Sequence, residues 1–363
     1  MEAKKSIIGG ICRVPIDQPH KMNGLNHIEK TSDLLPLTLF DVSRYFTIGQ
    51  GDPYQKYKRL YKDMNIKWGQ FKLLLGEMDF LCRFWDSMAI PNPQVVYVGA
   101  APGTHIGVLS DLFPMITFNL YDTGQKYDEK VLKDKSNVKL FKEFKPEQWV
   151  EEKGVFLWSD IRNLMYNRKE TISEKEQREN ERVVWEDMEL QMQWVEKVRP
   201  VKSFIKFRLP YSYDFNMEKG KTRVYLDGTV YRQVWAPNTS TECRLVPYDD
   251  LRKRDWDYEH HEGQMFYHNT QVRPEVKFYN PITRTNEQFP DETGLDDKYD
   301  STLSIIIVMG YLQKFGVKIT KDNVMQLFKI LDLGAAATRT TLYKTRMKIG
   351  PEEDDDEDER FLR

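Results

Sequence analysis

Short apolar runs alternate with charged, helix-like stretches through the middle of the chain. Each run has the length and the β-branched or aromatic content of a buried strand, and each ends in polar or small residues. The runs are Gln94–Gly99, Thr117–Asp122, Val138–Lys142, Val155–Asp160 and Lys202–Phe207. Helices between such strands are typical of βαβ units, so the pattern predicts an α/β fold with a parallel sheet covered by helices.

Helical periodicity marks three further regions. Residues 55–88 are amphipathic, most clearly over 72–85, and a long charged helix is predicted from Ser173 to Val198. Residues 301–334 are expected to form two helices joined near Gly316. Because proline and glycine interrupt residues 1–50, where no period is sustained, we expect a loosely structured N-terminal arm there.

The second half of the chain carries weaker strand signals. An Asp-Gly pair between two alternating runs predicts a β-hairpin over Arg223–Gln233. Glu242–Val246 is a further strand candidate, and Met265–His268 is a weaker one. The resulting domain plan has an arm, one α/β domain and a flexible tail, at residues 1–50, 51–334 and 335–363.

Composition bounds the class of protein. Apolar residues make up 40% of the 363, which is enough for a substantial core. The three cysteines, Cys12, Cys82 and Cys243, show no paired spacing, so neither a disulfide framework nor a metal site is indicated. The N-terminal apolar run is too short for a secretory signal, and Leu303–Leu312 is too short to span a bilayer. We expect a soluble intracellular protein without a membrane partner.

The net charge of −2 hides an uneven distribution. Eight of the 56 acidic residues form the continuous run Glu352–Glu359. The remaining 48 face 54 basic residues, which leaves the rest of the chain at about +6. A mildly basic body can hold a polyanion such as RNA, although many soluble proteins share this balance.

The segment Val96–His105 is typical of a cofactor loop. A buried strand runs into small residues and then a helix, so the backbone can approach a ligand at the carboxyl edge of the sheet. The loop has neither the third glycine of a dinucleotide fingerprint nor a Gly-Lys-Ser/Thr phosphate loop. Asp122, at the end of the next strand, can accept hydrogen bonds from ribose hydroxyls. These features suggest S-adenosylmethionine, although a structural corner and a turn-forming Asp122 also fit.

Four ionisable residues are predicted to meet at this edge. Asp160 and Lys206 end strands, Glu242 begins one, and Lys72 lies on the helix before the sheet. A buried lysine becomes a base only when its pKa falls from about 10.4, and desolvation and a neighbouring cation both lower it. Such a base can activate a ribose hydroxyl for in-line attack on a methyl donor. Taken singly, Lys72, Asp160 and Glu242 also fit a surface residue, a helix cap and an edge charge.

The order of these motifs resembles one family. Lys72-Leu-Leu-Leu-Gly-Glu, Val-Gly-Ala-Ala-Pro-Gly-Thr-His, Ser-Asp-Ile-Arg, Ile-Lys-Phe-Arg and Ala-Pro-Asn-Thr-Ser-Thr-Glu-Cys-Arg-Leu follow in sequence. This set is similar to the poxvirus cap-specific mRNA 2′-O-methyltransferase family, which also supplies the small regulatory subunit of viral poly(A) polymerase. The resemblance covers about residues 54–333 and is strongest over 69–246.

The resemblance implies a fold, a site and partners. It implies a Rossmann-like class I methyltransferase fold with terminal extensions, and a catalytic tetrad of Lys72, Asp160, Lys206 and Glu242. The expected cofactor contacts are Gly99, Ala100, Ala101, Pro102, Gly103, His105, Asp122 and Asp160, and the expected cap contacts are Tyr54, Tyr211 and Glu259. The implied substrate is capped mRNA, the implied partner is the catalytic subunit of a viral poly(A) polymerase, and the implied location is the host cytoplasm or the virion of a large DNA virus.

The chain departs from the family pattern at two cofactor or cap positions. Gly124 replaces an arginine that follows the ribose-binding acid, and Asp214 is only a candidate for the second cap-reading acid. Two other functions stay open: a 2′-O-methyltransferase for uncapped RNA, and a non-catalytic RNA-binding subunit of a polymerase. Four buried charges are costly to keep without use, which favours catalysis.

Overall fold

An eight-stranded sheet forms the centre of the molecule. The computed structural model describes residues 7–8, 11–12, 46–57, 69–163, 174–211, 222–236, 240–272, 299–328 and 330–331. The strands are β1 (Ile7–Ile8), β2 (Ile11–Cys12), β3 (Thr47–Ile48), β4 (Gln94–Val98), β5 (Thr117–Tyr121), β6 (Val138–Phe141), β7 (Val155–Ser159), β8 (Lys202–Phe207), β9 (Thr222–Leu226), β10 (Gly228–Tyr231), β11 (Cys243–Pro247) and β12 (Lys253–Asp257).

Helices flank this sheet. They are α1 (Gly69–Phe84), α2 (Thr104–Leu112), α3 (Glu129–Leu132), α4 (Glu174–Val198), α5 (Tyr258–Tyr267), α6 (Tyr299–Lys314) and α7 (321–328). A 3₁₀ turn covers Pro146–Trp149, and a π-helical turn, His268–Val272, follows α5. None of the helices in the part of the chain described by the structure is long and apolar enough to cross a membrane.

The strand order of the large sheet is β3-β10-β11-β8-β7-β4-β5-β6. The five strands from β8 to β6 run parallel, and β11, β10 and β3 extend the sheet in antiparallel register. After β6 the chain crosses to the other side of β4, which places β5 and β7 on opposite flanks of that strand. Such a reversal opens a crevice beyond the carboxyl ends of the strands, and this is where the fold class binds ligands.

Two apolar cores lie on the two faces of the sheet. Val95 and Tyr97 of β4 belong to the core that contains α1, α2 and α6, whereas Val96 and Val98 belong to the core that contains α4 and α5. This alternation follows from the two-residue period of a strand, and it explains why β4 is apolar from Val95 to Val98. The predicted α/β architecture with a mostly parallel central sheet is therefore confirmed.

Two predictions about the second half of the chain are wrong. β9 pairs with β12 and β10 pairs with β11, so Asp227 and Gly228 carry the chain between two sheets and do not close a hairpin. A Cβ on Gly228 would lie 2.3 Å from the carbonyl oxygen of Val246, which explains the need for glycine at this corner. Met265–His268 is not a strand, because α5 and its π-helical turn include it.

The fold begins earlier than residue 51. Within the predicted arm, β3 pairs with β10, and the preceding Phe46 is only 3% exposed in the core beside α1. β1 and β2 also pair with each other. The predicted tail, 335–363, lies outside the described residues.

Candidate active site

A cleft of about 640 Å³ opens at the carboxyl ends of β4, β5 and β7. Gly99, Ala101, Asp122 and Asp160 line it, together with Lys72, Lys206 and Glu242. Gly99 has φ 79°, and a Cβ there would lie 2.8 Å from the Asp160 carbonyl carbon. A side chain at this position is therefore excluded twice, by conformation and by space. The turn after β4 and the loop after β7 consequently meet at the floor of the cleft.

Asp122 holds the turns at this edge together. Its Oδ2 accepts a hydrogen bond from the Ala101 amide (3.2 Å), and its Oδ1 accepts from the Gly124 and Gln125 amides (3.0 and 2.8 Å). A carboxylate has about four acceptor positions, so roughly one remains for an outside donor. Asp122 can therefore stabilise the turn and still accept a hydrogen bond from a ligand.

The remaining loop residues do not line the cleft. Ala100 is buried in the core, the Pro102 carbonyl accepts a hydrogen bond from the Asp128 amide, and Gly103 precedes α2 with φ 70°. The His105 side chain turns inward, where Nδ1 lies 2.8 Å from Gln70 Oε1 and Nε2 lies 3.0 Å from Glu77 Oε2. We therefore correct the expectation for His105, because its ring links α2 to α1 and does not reach the cleft.

Lys72, Asp160, Lys206 and Glu242 form one ionic cluster. Lys206 Nζ lies 3.2 Å from both Asp160 Oδ1 and Glu242 Oε2, and Lys72 Nζ lies 3.1 Å from Glu242 Oε1. Antiparallel pairing of β8 with β11 brings the segments of Lys206 and Glu242 together. Lys72 lies on α1, which packs against one face of the sheet. The four residues predicted to meet are thus adjacent in space.

Three residues that sequence reasoning missed complete the cluster. Arg244 Nη2 lies 2.8 Å from Asp160 Oδ1, and Arg162 Nη2 lies 2.8 Å from Glu242 Oε2. Gln233 Nε2 also donates a hydrogen bond to Glu242 Oε1 (3.1 Å). A signal was available for Arg244, because it stands two residues after Glu242, which directly precedes β11, and alternation along extended chain places both on one face. Four cations now surround two carboxylates.

This excess of positive charge governs the ionisation of the cluster. Burial lowers the pKa of Lys206 below its ordinary value, and Arg162 acts in the same direction. Burial raises the pKa of Asp160, but Arg244 and Lys206 outweigh it, so the net shift is downward. The pKa of Glu242 is lowered against its burial in the same way, chiefly by Lys206 and Lys72. The arrangement keeps the carboxylates ionised. Because its pKa is lowered, Lys206 is neutral, and so able to accept a proton, at a lower pH than an ordinary lysine.

A family comparison decides where this chain belongs. The model of a family described as the poly(A) polymerase regulatory subunit matches residues 45–304, which include every residue of the ionic cluster. The chain belongs to the poly(A) polymerase regulatory subunit family. The resemblance inferred from the motifs is therefore confirmed.

The chain is also similar to curated proteins that are named for an enzymatic activity. The chain is 30% identical over 245 residues to the cap-specific mRNA (nucleoside-2′-O-)-methyltransferase of Fowlpox virus (strain NVSL), covering 61% of this chain and 74% of the relative. It is 28% identical over 229 residues to the protein of the same name from Myxoma virus (strain Lausanne), covering 57% of this chain and 62% of the relative. The match thus spans about three fifths of the length of the Myxoma protein.

Two of the predicted cap contacts, Tyr54 and Glu259, lie near the start of α5 and do not line the cleft. Tyr54 is 61% exposed, and its ring centroid lies 4.9 Å from that of His260 at the start of α5. Glu259 stands beside it in the first turn of α5. The backbone of Gln55 pairs with Gly263, which fixes this segment against α5. Tyr54 and Glu259 are therefore accessible near one helix end, as a cap site requires, but their role stays a prediction.

Tyr211 is placed differently from Tyr54. It is only 5% exposed, the Arg208 guanidinium lies 4.7 Å from its ring centroid, and its hydroxyl accepts a hydrogen bond from Thr241 Oγ1 (3.3 Å). Its ring neighbour is Tyr57, with centroids 5.9 Å apart. Arg208 thus lies over one face of this ring, and among the described residues the Tyr54 and Tyr211 rings are not in contact with each other. The other cap candidate, Asp214, lies outside the described residues.

Proposed function

We propose that this protein is an S-adenosylmethionine-dependent RNA methyltransferase that methylates the ribose 2′-hydroxyl of the first transcribed nucleotide of capped mRNA. The observation that carries the proposal is the ionic cluster on the wall of the cleft whose floor includes Gly99. Its members are Lys72, Asp160, Lys206 and Glu242. The names of the poxvirus relatives support the same activity. Its place of action would be the host cytoplasm or the virion of a large DNA virus.

The cleft suits the methyl donor by its size and its chemistry. A volume of about 640 Å³ falls within the range of small-molecule sites. The bare backbone at Gly99 allows close approach, and Asp122 retains capacity for a ribose hydroxyl. Tyr121, Phe144 and Trp194 line the same cleft and offer aromatic surface to a base. When bound, S-adenosylmethionine supplies an electrophilic methyl on its sulfonium sulfur.

The ionic cluster would prepare the nucleophile. Lys206 in its neutral form accepts the proton of the 2′-hydroxyl as the oxygen attacks the methyl carbon. Asp160 and Glu242 contact Lys206 Nζ from two sides, which fixes where this nitrogen points. Lys72 and Arg162 keep Glu242 ionised and in place. Because the transferred group must be attacked in line, this positioning supplies much of the rate enhancement.

The rival enzyme activity is methylation of uncapped RNA. Labelled methyl transfer to two RNAs of identical sequence, one capped with N7-methylguanosine and one uncapped, separates the two activities. Nucleoside analysis of the product should find 2′-O-methylation at the first transcribed nucleotide of the capped RNA alone. Equal transfer to both RNAs would contradict cap specificity, and absence of transfer to either would contradict the proposed activity.

Family membership supports a second role in polyadenylation. The family description names a regulatory subunit, so we propose that the protein also binds the catalytic subunit of a viral poly(A) polymerase. Co-purification of the two chains and longer poly(A) tails in the presence of this protein are expected. Lys206→Met should preserve both effects, because the ionic cluster is dedicated to methyl transfer.

A further inference from the structure

A row of buried polar side chains on α4 holds the segments that leave the ionic cluster. Asp187 Oδ2 accepts a hydrogen bond from the Asn163 amide (2.9 Å), just after β7. Gln191 Nε2 donates to the backbone oxygen of Lys206 (3.1 Å), near the end of β8. Glu181, which precedes both Asp187 and Gln191 on the helix, contacts the segment that continues from β8. Helix α4 therefore fixes the chain on both strands that carry the cluster.

Glu181 makes the most extensive of these contacts. It is 1% exposed, and its two carboxylate oxygens accept from the two terminal nitrogens of Arg208 at 2.9 and 3.1 Å. Oε2 also accepts from the Tyr211 amide at 2.9 Å. A single carboxylate thus fixes one side chain and one backbone group of segment 208–211.

The contacts of Tyr211 connect this anchor to the catalytic wall. Arg208 lies over the Tyr211 ring, and the Tyr211 hydroxyl is bonded to Thr241, the residue before Glu242. Glu181 is therefore linked to Glu242 through Tyr211 and Thr241. Neither Glu181, Arg208 nor Tyr211 lines the cleft, so the anchor lies outside the cofactor pocket.

Stability alone is a weak reason for this pair. A buried ion pair is often no more stabilising than apolar residues of the same volume, because desolvation offsets the attraction. Its bidentate geometry does fix direction, since the planar guanidinium matches a carboxylate in one arrangement. On the same helix, the exposed Glu179–Arg182 pair has no contact with the site. A geometric role distinguishes the buried pair from the exposed one.

We propose that Glu181 is a positioning residue. It holds segment 208–211 in place, and the RNA strand passes this segment on its way to Lys206. The proposal rests on the proposed function. Lys206 lines the donor cleft, whereas segment 208–211, which continues from β8 just beyond it, does not. An RNA strand that reaches Lys206 from outside the cleft would therefore pass this segment. Fixing that segment favours binding of the RNA and leaves the donor pocket unchanged.

The test compares Glu181→Ala and Glu181→Gln with the matched control Glu179→Gln in the full chain. Amide hydrogen exchange is measured for the peptide that covers residues 208–211. Calorimetry with S-adenosylmethionine, and the KM and kcat for capped RNA, complete the set. We expect Glu181→Ala to accelerate exchange at Tyr211 and to raise the KM for capped RNA about tenfold, with cofactor affinity unchanged.

Glu181→Gln should fall between wild type and Glu181→Ala, because its amide oxygen can still accept from Tyr211 while the charge is gone. This variant also keeps the test informative if Glu181→Ala does not fold. Exchange and KM equal to those of Glu179→Gln would overturn the proposal, as would an equal loss of cofactor affinity. If the wild-type protein methylates no RNA, the proposed function fails, and unchanged exchange at Tyr211 would then overturn the anchoring role separately.

Discussion

At the scale of single residues, the decisive feature is an imbalance of charge around Lys206. Two carboxylates, Asp160 and Glu242, face Lys72, Lys206, Arg162 and Arg244. Burial and the neighbouring arginines lower the pKa of Lys206, and together they outweigh Asp160 and Glu242, which raise it and hold Nζ in place. Lys206 can therefore act as a base below the pH at which an exposed lysine would.

The pH dependence of methyl transfer tests this imbalance. A base is active when deprotonated, so kcat should rise with pH through the lowered pKa of Lys206. Arg162→Gln removes a cation that lowers this pKa, so the pKa should rise and the acidic limb of the profile should move to higher pH. The profile of Arg182→Gln, an exposed arginine on α4, should match wild type. An unshifted limb in Arg162→Gln would argue against control of Lys206 by this charge.

The sequence was informative about the cluster and less informative about its surroundings. Asp160, Lys206 and Glu242 could be predicted because strand ends converge at one edge of a parallel sheet. Lys72 lies on α1, and the family resemblance supplied its role. Arg244 was missed, although alternation along β11 could have indicated it. The burial of Tyr211 depends on Glu181 and Thr241, which are 30 residues away in either direction. Contacts of that range cannot be derived from local pattern.

At the scale of elements, α1 and α2 are joined by a buried polar link. His105 contacts Gln70 and Glu77, and both the His105 and Glu77 side chains are almost completely buried. Helix α1 carries Lys72, and α2 follows the glycine turn. The link therefore fixes the donor loop relative to one member of the ionic cluster.

Removal of this link should be costly. His105→Leu removes the imidazole partner of the buried Glu77 carboxyl and leaves it only the hydrogen bond with Tyr97 among the contacts described. We therefore expect the free energy of unfolding to fall by about 3 kcal/mol. Urea denaturation measures the change. Glu147→Gln, which breaks the exposed pair with Lys197, should leave the unfolding midpoint unchanged. Equal midpoints for His105→Leu and wild type would mean that the contact contributes little.

The turn after β5 offers a second test among the elements. Asp122→Ala removes an acceptor for a ribose hydroxyl and frees the amides of Ala101, Gly124 and Gln125. Affinity for S-adenosylmethionine should fall by about 1–3 kcal/mol in calorimetry. Asp111 lies near the end of α2 and forms an ion pair with Lys135, away from the turn. Asp111→Ala should therefore bind S-adenosylmethionine with wild-type affinity. Unchanged affinity in Asp122→Ala would remove this residue from the donor site.

Element type was easier to predict from sequence than strand partners. The five parallel strands and α4 appear where periodicity placed them, because apolar runs and helical periods are local signals. The Asp-Gly corner at residues 227–228 was taken for a hairpin. The dipeptide reports a turn, but the strands that it joins find their partners in β11 and β12, which the local pattern does not specify.

At the scale of the whole molecule, one sheet edge combines the features needed for methyl transfer. The reversal of strand order at β4 creates the cleft, and the antiparallel extension at β11 adds Glu242 to its wall and places Arg244 behind it, paired with Asp160. The regulatory-subunit family model covers residues 45–304, and these residues include both parts. The site therefore needs both halves of the sheet together with α1, since Lys206 comes from the parallel half, Glu242 from the start of the antiparallel half and Lys72 from the helix.

The most direct measurement is methyl transfer to N7-methylguanosine-capped RNA by wild type, Lys206→Met and Lys202→Met. Lys202 stands at the other end of β8 and pairs with Asp249, so it serves as the matched control. We predict that Lys206→Met loses transfer while it binds S-adenosylmethionine with wild-type affinity, and that Lys202→Met stays active. Transfer above background by folded Lys206→Met would contradict the account.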